Sequence, residues 1–208
     1  MNTKAPSPRL LARLPIYLRY IKSLPSSTTN ISATKMAEAL GLGDVLVRKD
    51  LAKVSHGGRR KLGYVREDLI KDIESFLDFN CVTTAIVVGE DEGKLLLLDY
   101  RFDDSGLDVA AGFTLNPSIP ISKSGKPIYP LEQLEDYCRA HCIHIGMITV
   151  SAEKAQRICD RLVACGIHAI WNFSPAHLKV PGDVVIRSEN LSISLASLRM
   201  QMRSNVHK

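Results

Sequence analysis

Apolar residues in the first third of the chain recur at the spacing of amphipathic helices. Leu14, Tyr17, Leu18, Ile21 and Leu24 form one such stripe. Ser32 and Asp44 each stand before a further periodic segment, where a side chain of this type caps a helix N-terminus, and a glycine follows the first of these segments. The predicted helices are 10–24, 33–40, 45–54 and 66–77.

The second and third predicted helices are separated only by the short turn Gly41-Leu42-Gly43, so they form a helix-turn-helix unit. The segment SHGGRRKLGYV, residues 55–65, is basic and punctuated by glycines, which predicts a hairpin. Three helices followed by such a hairpin indicate a winged helix. We therefore predict an N-terminal winged-helix DNA-binding domain over residues 1–80.

From residue 84 onward, short apolar segments alternate with amphipathic ones. Nearly all-apolar strands alternating with helices are typical of a parallel sheet that is covered on both faces. We therefore predict an α/β, Rossmann-like parallel-sheet domain over residues 81–188. The predicted strands are 84–88, 107–113, 143–150, 167–171 and 183–186, and the predicted helices are 93–100, 130–141 and 153–164.

A last amphipathic helix is predicted in the C-terminal segment 189–208, with Leu191, Leu195 and Leu198 on one side. Little of the preceding domain is left for this apolar side to pack against. We therefore expect the helix to dock on a partner subunit.

Charge separates the two halves of the chain. Residues 1–80 carry fourteen Lys and Arg against eight Asp and Glu, whereas residues 81–208 carry thirteen against fourteen. The excess positive charge therefore belongs to the N-terminal domain, which indicates a polyanionic partner such as nucleic acid. No apolar stretch is long enough to span a membrane and the N-terminus has no secretory pattern, so we expect a cytoplasmic protein without membrane association. The five cysteines are expected to be reduced thiols.

Candidate DNA contacts lie on the third helix and on the hairpin. If Val45, Val47, Leu51 and Val54 face the core, Arg48 and Lys49 project outward, as the side chains of a recognition helix do. A solvated charged face is the alternative interpretation, but a basic helix followed by a basic wing favours DNA binding. The predicted contacts are Arg48, Lys49, Lys53, Arg59, Arg60, Lys61 and Tyr64.

Several of these segments resemble the Rex family of redox-sensing transcriptional repressors. RLPIYLRYIKSL (13–24) resembles the opening helix of that family, VRKDL (47–51) its recognition helix, RRKLGY (59–64) its wing, and NFSP (172–175) with LKVP (178–181) a later motif. The resemblance covers roughly residues 9–203. It implies a homodimer with a swapped C-terminal helix, a palindromic double-stranded DNA operator, NAD(H) as the ligand, and release of DNA when NADH binds.

The nucleotide-site residues depart from the family pattern, which has G-x-G-x-x-G after the first strand of the sheet. Here the segment is GEDEGKLLLLDY. Asp91 stands at the place of the second glycine and Lys94 at that of the third, while Thr114 stands where an acidic residue contacts the ribose. Three acids would repel a pyrophosphate. The candidate cofactor residues are Gly89, Glu90, Asp91, Glu92, Gly93, Lys94 and Thr114.

The resemblance also implies a contact between the two domains. Arg19 of the opening helix matches an Arg that pairs with an Asp before the C-terminal helix, and Asn190 stands at the position of that Asp. Tyr100, the third member of this cluster, is retained. An Arg–Asn contact lacks the second charge that strengthens the original pair.

Three ligand hypotheses therefore stay open: NADH bound through a remodelled loop, another ligand, or none. Cys138, His141, Cys142 and His144 have spacing that could hold zinc, but a core or surface role is favoured because His144 would begin a buried strand. No catalytic set is visible, so we do not expect an enzyme. The alternative function is a Rossmann-fold oxidoreductase or a CoA-binding enzyme subunit.

Overall fold

A computed structural model describes residues 6–59, 62–79, 81–102, 105–115 and 117–206. The chain divides into two compact units, residues 1–81 and residues 82–208. Each unit has its own hydrophobic core.

Unit 1 contains four helices and one two-stranded antiparallel sheet. Its core forms where α1 meets the other helices, around fully buried Tyr17, Met36, Leu51 and Ile73. The predicted apolar stripe of the first helix is buried at Leu14, Tyr17, Leu18 and Ile21. The elements are α1 (Pro8–Ser23), β1 (Asn30–Ile31), α2 (Ala33–Leu40), α3 (Asp44–Val54), β2 (Tyr64–Val65) and α4 (Arg66–Phe76).

Unit 2 is a six-stranded parallel sheet flanked by helices and 3-10 turns. Its elements are β3 (Thr83–Val88), β4 (Leu107–Thr114), β5 (Ile128–Pro130), α5 (Leu134–Ala140), β6 (Ile145–Ile148), α6 (Ala152–Ala164), β7 (Ala169–Asn172), β8 (Val185–Ser188) and α7 (Leu191–Val206). The strand order is β5-β4-β3-β6-β7-β8, the Rossmann order, so the predicted fold class is confirmed. The order reverses between β3 and β6, and open sheets of this type bind ligands at the carboxyl ends of their strands there.

The predicted helix over 93–100 is wrong. Two 3-10 turns, Glu92–Lys94 and Leu96–Leu98, follow β3 instead. Leu95 and Leu98 are buried against β3 and β4, whereas Leu96 is 77% exposed. A 3-10 segment has three residues per turn, so positions three apart share one side, which fits this burial.

α7 is exposed along its described side chains. Its apolar residues Ile193, Leu195, Leu198, Met200 and Met202 are all open to solvent. The helix begins where Asn190 caps it: the side-chain oxygen of Asn190 accepts hydrogen bonds from the backbone N–H groups of Ser192 (3.0 Å) and Ile193 (3.3 Å).

Candidate DNA-binding and nucleotide-binding sites

α3 presents its basic side chains to solvent. Arg48, Lys49 and Lys53 are exposed, while Val47 and Leu51 are fully buried against the core of unit 1. The expectation that Val45 faces inward is wrong, because Val45 is 65% exposed and Asp50 takes an inward position instead. Positions 47, 50, 51 and 54 follow the helical spacing of one face, and position 45 does not.

Arg48 is held in place before any ligand is bound. Its Nε lies 3.0 Å from Oδ1 of Asp44, and its Nη2 lies 3.0 Å from Oγ1 of Thr34 on α2. Asp44 also accepts a hydrogen bond from the Thr34 hydroxyl at 3.1 Å. Asp44 therefore does not cap α3 as expected: Gly43 is the N-cap residue, and Asp44 orients Arg48.

Asp50, which sequence reasoning did not select, connects α3 to α1. Its carboxylate is 3% exposed and accepts hydrogen bonds from Arg13 and from the hydroxyl of Tyr17 at 3.0 Å. Burial, followed by the neighbouring Asp50 carboxylate, raises the pKa of Tyr17 to about 12. Tyr17 is therefore a hydrogen-bond donor at physiological pH, and the basic helix is fixed to the core by a charged group.

The wing closes through a tight turn. The backbone N–H of Arg59 donates to the carbonyl of Gly63 at 2.8 Å, and the N–H of Gly63 donates back to Arg59 at 2.9 Å. Gly63 has a φ of +79°, and a Cβ there would lie 2.1 Å from the carbonyl oxygen of Ile31. Only glycine fits this close approach of two backbones. Arg60 and Lys61 lie outside the described residues.

A groove of about 500 Å³ runs between α3 and the wing. Arg48 and Arg59 lie on it, and the half-buried Tyr64 packs against Gly58 at its floor. Cationic side chains on a helix and on an adjacent hairpin form a surface that can contact a phosphate backbone and read base edges at once.

The loop after β3 uses its own carboxylates as internal hydrogen-bond acceptors. Glu92 Oε1 accepts from the backbone N–H and the hydroxyl of Ser118 and from the N–H of Ile119, and the first of these lowers the pKa of Glu92 to about 2. Asp91 caps the following turn by accepting from the N–H of Lys94 at 3.1 Å. The acids therefore stabilise the loop itself.

Glu90 belongs to the same loop and reaches α6. Its carboxylate accepts from the Ser151 hydroxyl at 2.8 Å and pairs with Lys154 at 3.1 Å, and these contacts lower its pKa. The hydroxyl of the fully buried Thr114 donates to the Glu90 carbonyl at 3.4 Å. Thr114 therefore supports the loop from the end of β4.

The glycines of this loop differ in their surroundings. At Gly89 a Cβ would lie 3.0 Å from Leu95 and 3.1 Å from Lys94, so the chain turns tightly there. Gly93 meets only the Asp91 carboxylate, at 3.1 Å. Because 3-10 turns replace the expected helix, the described loop offers no long helix N-terminus for a pyrophosphate.

Two cavities open at the carboxyl edge of the sheet, on the two sides of this loop. One, of about 350 Å³, lies between Gly89, Leu115 and α6. The other, of about 460 Å³, lies between Glu90, Lys94 and the segment after β7. The candidate residues Gly89, Glu90, Gly93 and Lys94 all line one cavity or the other.

The NFSP segment forms a buried lock at the end of β7. Asn172 is fully buried, its amide donates to the Ala176 carbonyl at 2.9 Å and to Ser188 at 3.3 Å, and its oxygen accepts from the N–H and hydroxyl of Ser174. Every polar atom of the Asn172 amide therefore has a partner, and the side chain ties β7 to β8.

The three residues expected to couple the domains occupy separate positions in the two units. Arg19 is exposed on α1, and Asn190 caps α7. Tyr100 is 58% exposed and lies 4.7 Å from the Phe102 ring, between ring centroids. Their role in coupling stays a prediction.

The cysteine–histidine cluster does not converge on one point. Cys142 lies beyond the end of α5, so it does not share a helix face with Cys138. His144 is exposed and precedes β6, which corrects its expected place in a buried strand. Burial raises the pKa of Cys138 to about 12. Among the described residues, no group of three His, Cys, Asp or Glu side chains is placed to hold a metal ion.

Within the part of the chain that the structure describes, no helix combines the length and apolarity that a bilayer crossing requires. Residues 7–52 match the family model described as "Putative DNA-binding protein N-terminus", and residues 81–176 match the model of the CoA binding domain. A basic helix-and-wing head followed by a Rossmann-type sheet defines a class of DNA-binding regulators.

Similar proteins place the chain within this class. The redox-sensing transcriptional repressors Rex of Porphyromonas gingivalis and Bacteroides fragilis are 36% and 34% identical over 207 residues, which cover 98% of this chain and 94% of each relative. The crystal structure of the Rex-family repressor RSP in complex with β-NAD+ and operator DNA superposes with a TM-score of 0.84 at 29% identity, covering 98% of this chain and 95% of that one. RSP in complex with β-NADH gives 0.81 at 29% identity, covering 98% and 97%. The chain belongs to the Rex family of redox-sensing transcriptional repressors.

Proposed function

We propose that this chain represses transcription as a homodimer that binds a palindromic operator in double-stranded DNA. The observation that carries the proposal is the groove between α3 and the wing, on which Arg48 and Arg59 lie. Arg48 reads base edges in the major groove, whereas Arg59 and the neighbouring wing residues Arg60 and Lys61 neutralise phosphates. Lys49, Lys53 and Tyr64 complete the contact surface.

The homodimer is supported by α7. Its exposed apolar residues would otherwise form an apolar surface open to water, and a second copy of the chain would bury them. In such a dimer, Arg19, Tyr100 and Asn190 are the candidates that transmit a change from unit 2 to unit 1. A cytoplasmic location accords with this function.

We further propose that DNA affinity responds to an adenine nucleotide bound at the carboxyl edge of the sheet. The two cavities beside Gly89 and Glu90 support this, as do the NADH and NAD+ complexes of RSP. Since Asp91 and Lys94 replace two glycines of the fingerprint, nucleotide recognition differs from the usual dinucleotide geometry. NAD(H) is the reference ligand, and we expect its affinity to be weakened.

Fluorescence anisotropy tests the DNA proposal. A duplex operator is first selected from a random library with the full chain, and binding is then compared with a scrambled duplex over about 50–200 mM salt. Arg48→Ala should abolish the preference for the operator, costing about 1–3 kcal/mol. Arg59→Ala should weaken binding to both duplexes and reduce the salt slope by about 1.

Lys71→Ala is the matched control, because Lys71 is an exposed cation on α4 outside the groove. It should leave both affinities unchanged. Equal effects of Arg48→Ala and Lys71→Ala would contradict the assignment of the groove, and absence of any operator enrichment would contradict the repressor function.

The alternative of a CoA-binding enzyme subunit is favoured by the match of residues 81–176 to the CoA binding domain. It predicts catalytic turnover that survives Arg48→Ala and leaves the basic groove without a role. Operator binding that coenzyme A leaves unchanged, together with absence of turnover, would decide for the repressor.

A further inference from the structure

The cavity of about 350 Å³ combines an apolar lining with a row of cations. Lys154, Arg157 and Arg161 lie on α6 at helical spacing and face it together. Glu132 is the only acid on its lining. The apolar lining residues are Leu115, Leu131, Val150 and Ile158, with Gly89 at the end of β3.

The three cations differ in how far they are already satisfied. Arg161 makes a two-point ion pair with Glu135, at 2.7 and 2.8 Å, and donates to the Leu131 carbonyl at 2.9 Å. Lys154 pairs with Glu90 at 3.1 Å. Arg157 is exposed and has no ion pair or hydrogen bond to any described residue. It is therefore the cation of the cavity that has its full set of donors available.

The end of β4 adds a second, independent observation. In Rossmann domains an acidic residue there accepts hydrogen bonds from a ribose and excludes a phosphate on it, whereas sites for phosphorylated ribose place an Arg nearby. This chain has the buried, neutral Thr114 at that position, followed by Leu115 on the cavity lining. The nearest loop carboxylate, Glu90, is already bound by Ser151 and Lys154.

We infer that this cavity binds the adenosine end of a nucleotide that carries an additional monophosphate on its ribose, as NADP(H) and coenzyme A do. Arg157 is the principal phosphate ligand, Lys154 contributes a second positive charge, and the apolar lining contacts the adenine ring. A guanidinium suits this role because its donors match two phosphate oxygens at once. The inference rests on the proposed nucleotide binding and specifies which nucleotides the site prefers.

Isothermal titration calorimetry of the full chain with two matched ligand pairs tests this. The pairs are NADH with NADPH, and dephospho-coenzyme A with coenzyme A, and the members of each pair differ by one ribose phosphate. We expect the phosphorylated member of at least one pair to bind about 10- to 100-fold more tightly, the range that hydrogen bonds to charged groups provide. The pair that shows the preference identifies a 2′- or a 3′-phosphate.

Arg157→Ala should remove the preference within that pair, and Arg157→Lys should restore part of it. Arg139→Ala is the control: it removes an exposed cation of α5 outside the cavity and should keep the preference. Equal affinities within both pairs, or tighter binding of the unphosphorylated members, would overturn the inference and leave nucleotide binding intact. Absence of binding by all four ligands would overturn both this inference and the proposed nucleotide response.

Discussion

Arg13 on α1 and Asp50 on α3 form a two-point ion pair, with Nε of Arg13 2.6 Å from Oδ2 and Nη2 2.9 Å from Oδ1. The Asp50 side chain is 4% exposed, and that of Arg13 is 21% exposed. The pair lies between the helix that carries the candidate DNA contacts and the helix at the centre of the unit 1 core. The orientation of α3 therefore depends on a buried charge and on apolar packing together.

Asp50→Ala should destabilise unit 1 by about 3 kcal/mol, the lower end of the range for breaking a buried pair, because Arg13 keeps access to water. Urea unfolding followed by far-UV circular dichroism measures the loss. Trp171, the only tryptophan of the chain, lies in unit 2, so its fluorescence reports that unit separately. Asp44→Ala breaks a more exposed pair and serves as the control, with an expected change below about 1 kcal/mol. Indistinguishable losses for the two variants would show that the buried pair contributes little.

Gly63→Ala should disrupt the wing, because the new Cβ would meet the Ile31 carbonyl and because a φ of +79° is strained for alanine. We expect unit 1 to lose roughly 1–3 kcal/mol and the operator affinity to fall. Thermal unfolding and anisotropy measure the two effects. At Gly57 the nearest atom to an added Cβ is Ser55 Oγ at 3.4 Å, so Gly57→Ala should be tolerated. Equal melting temperatures for the two alanine variants would refute the steric argument.

The combined change Leu195→Asp and Leu198→Asp on α7 should convert a dimer into monomers. Each leucine would contribute about 1.5–3 kcal/mol if it were buried in the dimer, and a carboxylate there would have to be desolvated. Analytical ultracentrifugation over a range of protein concentrations gives the dissociation constant. Gln201→Ala changes an exposed polar residue of the same helix and should leave the dimer intact. A natural chain that sediments as a monomer would contradict the proposed assembly.

Glu92 should make the stability of unit 2 depend on pH. Hydrogen bonds from Ser118 lower the pKa of Glu92 to about 2 from the ordinary value of 4.5, so its ionised form is bound more favourably in the folded state. This contribution is present above pH 4.5 and is lost as the pH falls towards 2. The melting temperature of Glu92→Gln should therefore lie below that of the natural chain at neutral pH, and the two should converge in acid. Glu132→Gln, an exposed acid of the same unit, should not change the pH profile. A gap between the natural chain and Glu92→Gln that is constant with pH would contradict the assignment.

The sequence predicts the sheet of unit 2 well because its central strands are nearly all-apolar. Thr83–Val88 and Leu107–Thr114 lie within one residue of the predicted ranges. Later strands begin two residues further along: the segment predicted from residue 183 is Val185–Ser188. The short strands Asn30–Ile31 and Ile128–Pro130 were missed because two or three residues carry no periodicity, and their pairing depends on segments distant in the chain.

The largest error, the helix over 93–100, has a local cause. Four consecutive leucines after Gly93 are strong helix formers, but the chain must first turn at Gly89, and Asp91 caps a short turn there. Asp50 shows the opposite limit. Its partner Arg13 lies 37 positions earlier, so no pattern around Asp50 marks it as buried. Both residues acquire their roles only through tertiary contacts.

The contacts of Arg48 with Asp44 and Thr34 also bear on the kinetics of the proposed DNA complex. A long side chain that is already ordered loses less rotamer entropy when it meets a base, which favours productive encounters. Arg48 must, however, give up the Asp44 carboxylate before it can bind a guanine with both donors. A base that returns fewer hydrogen bonds does not offset this exchange, so the intramolecular pair acts as an internal competitor that shortens the residence time of the protein on incorrect sequences.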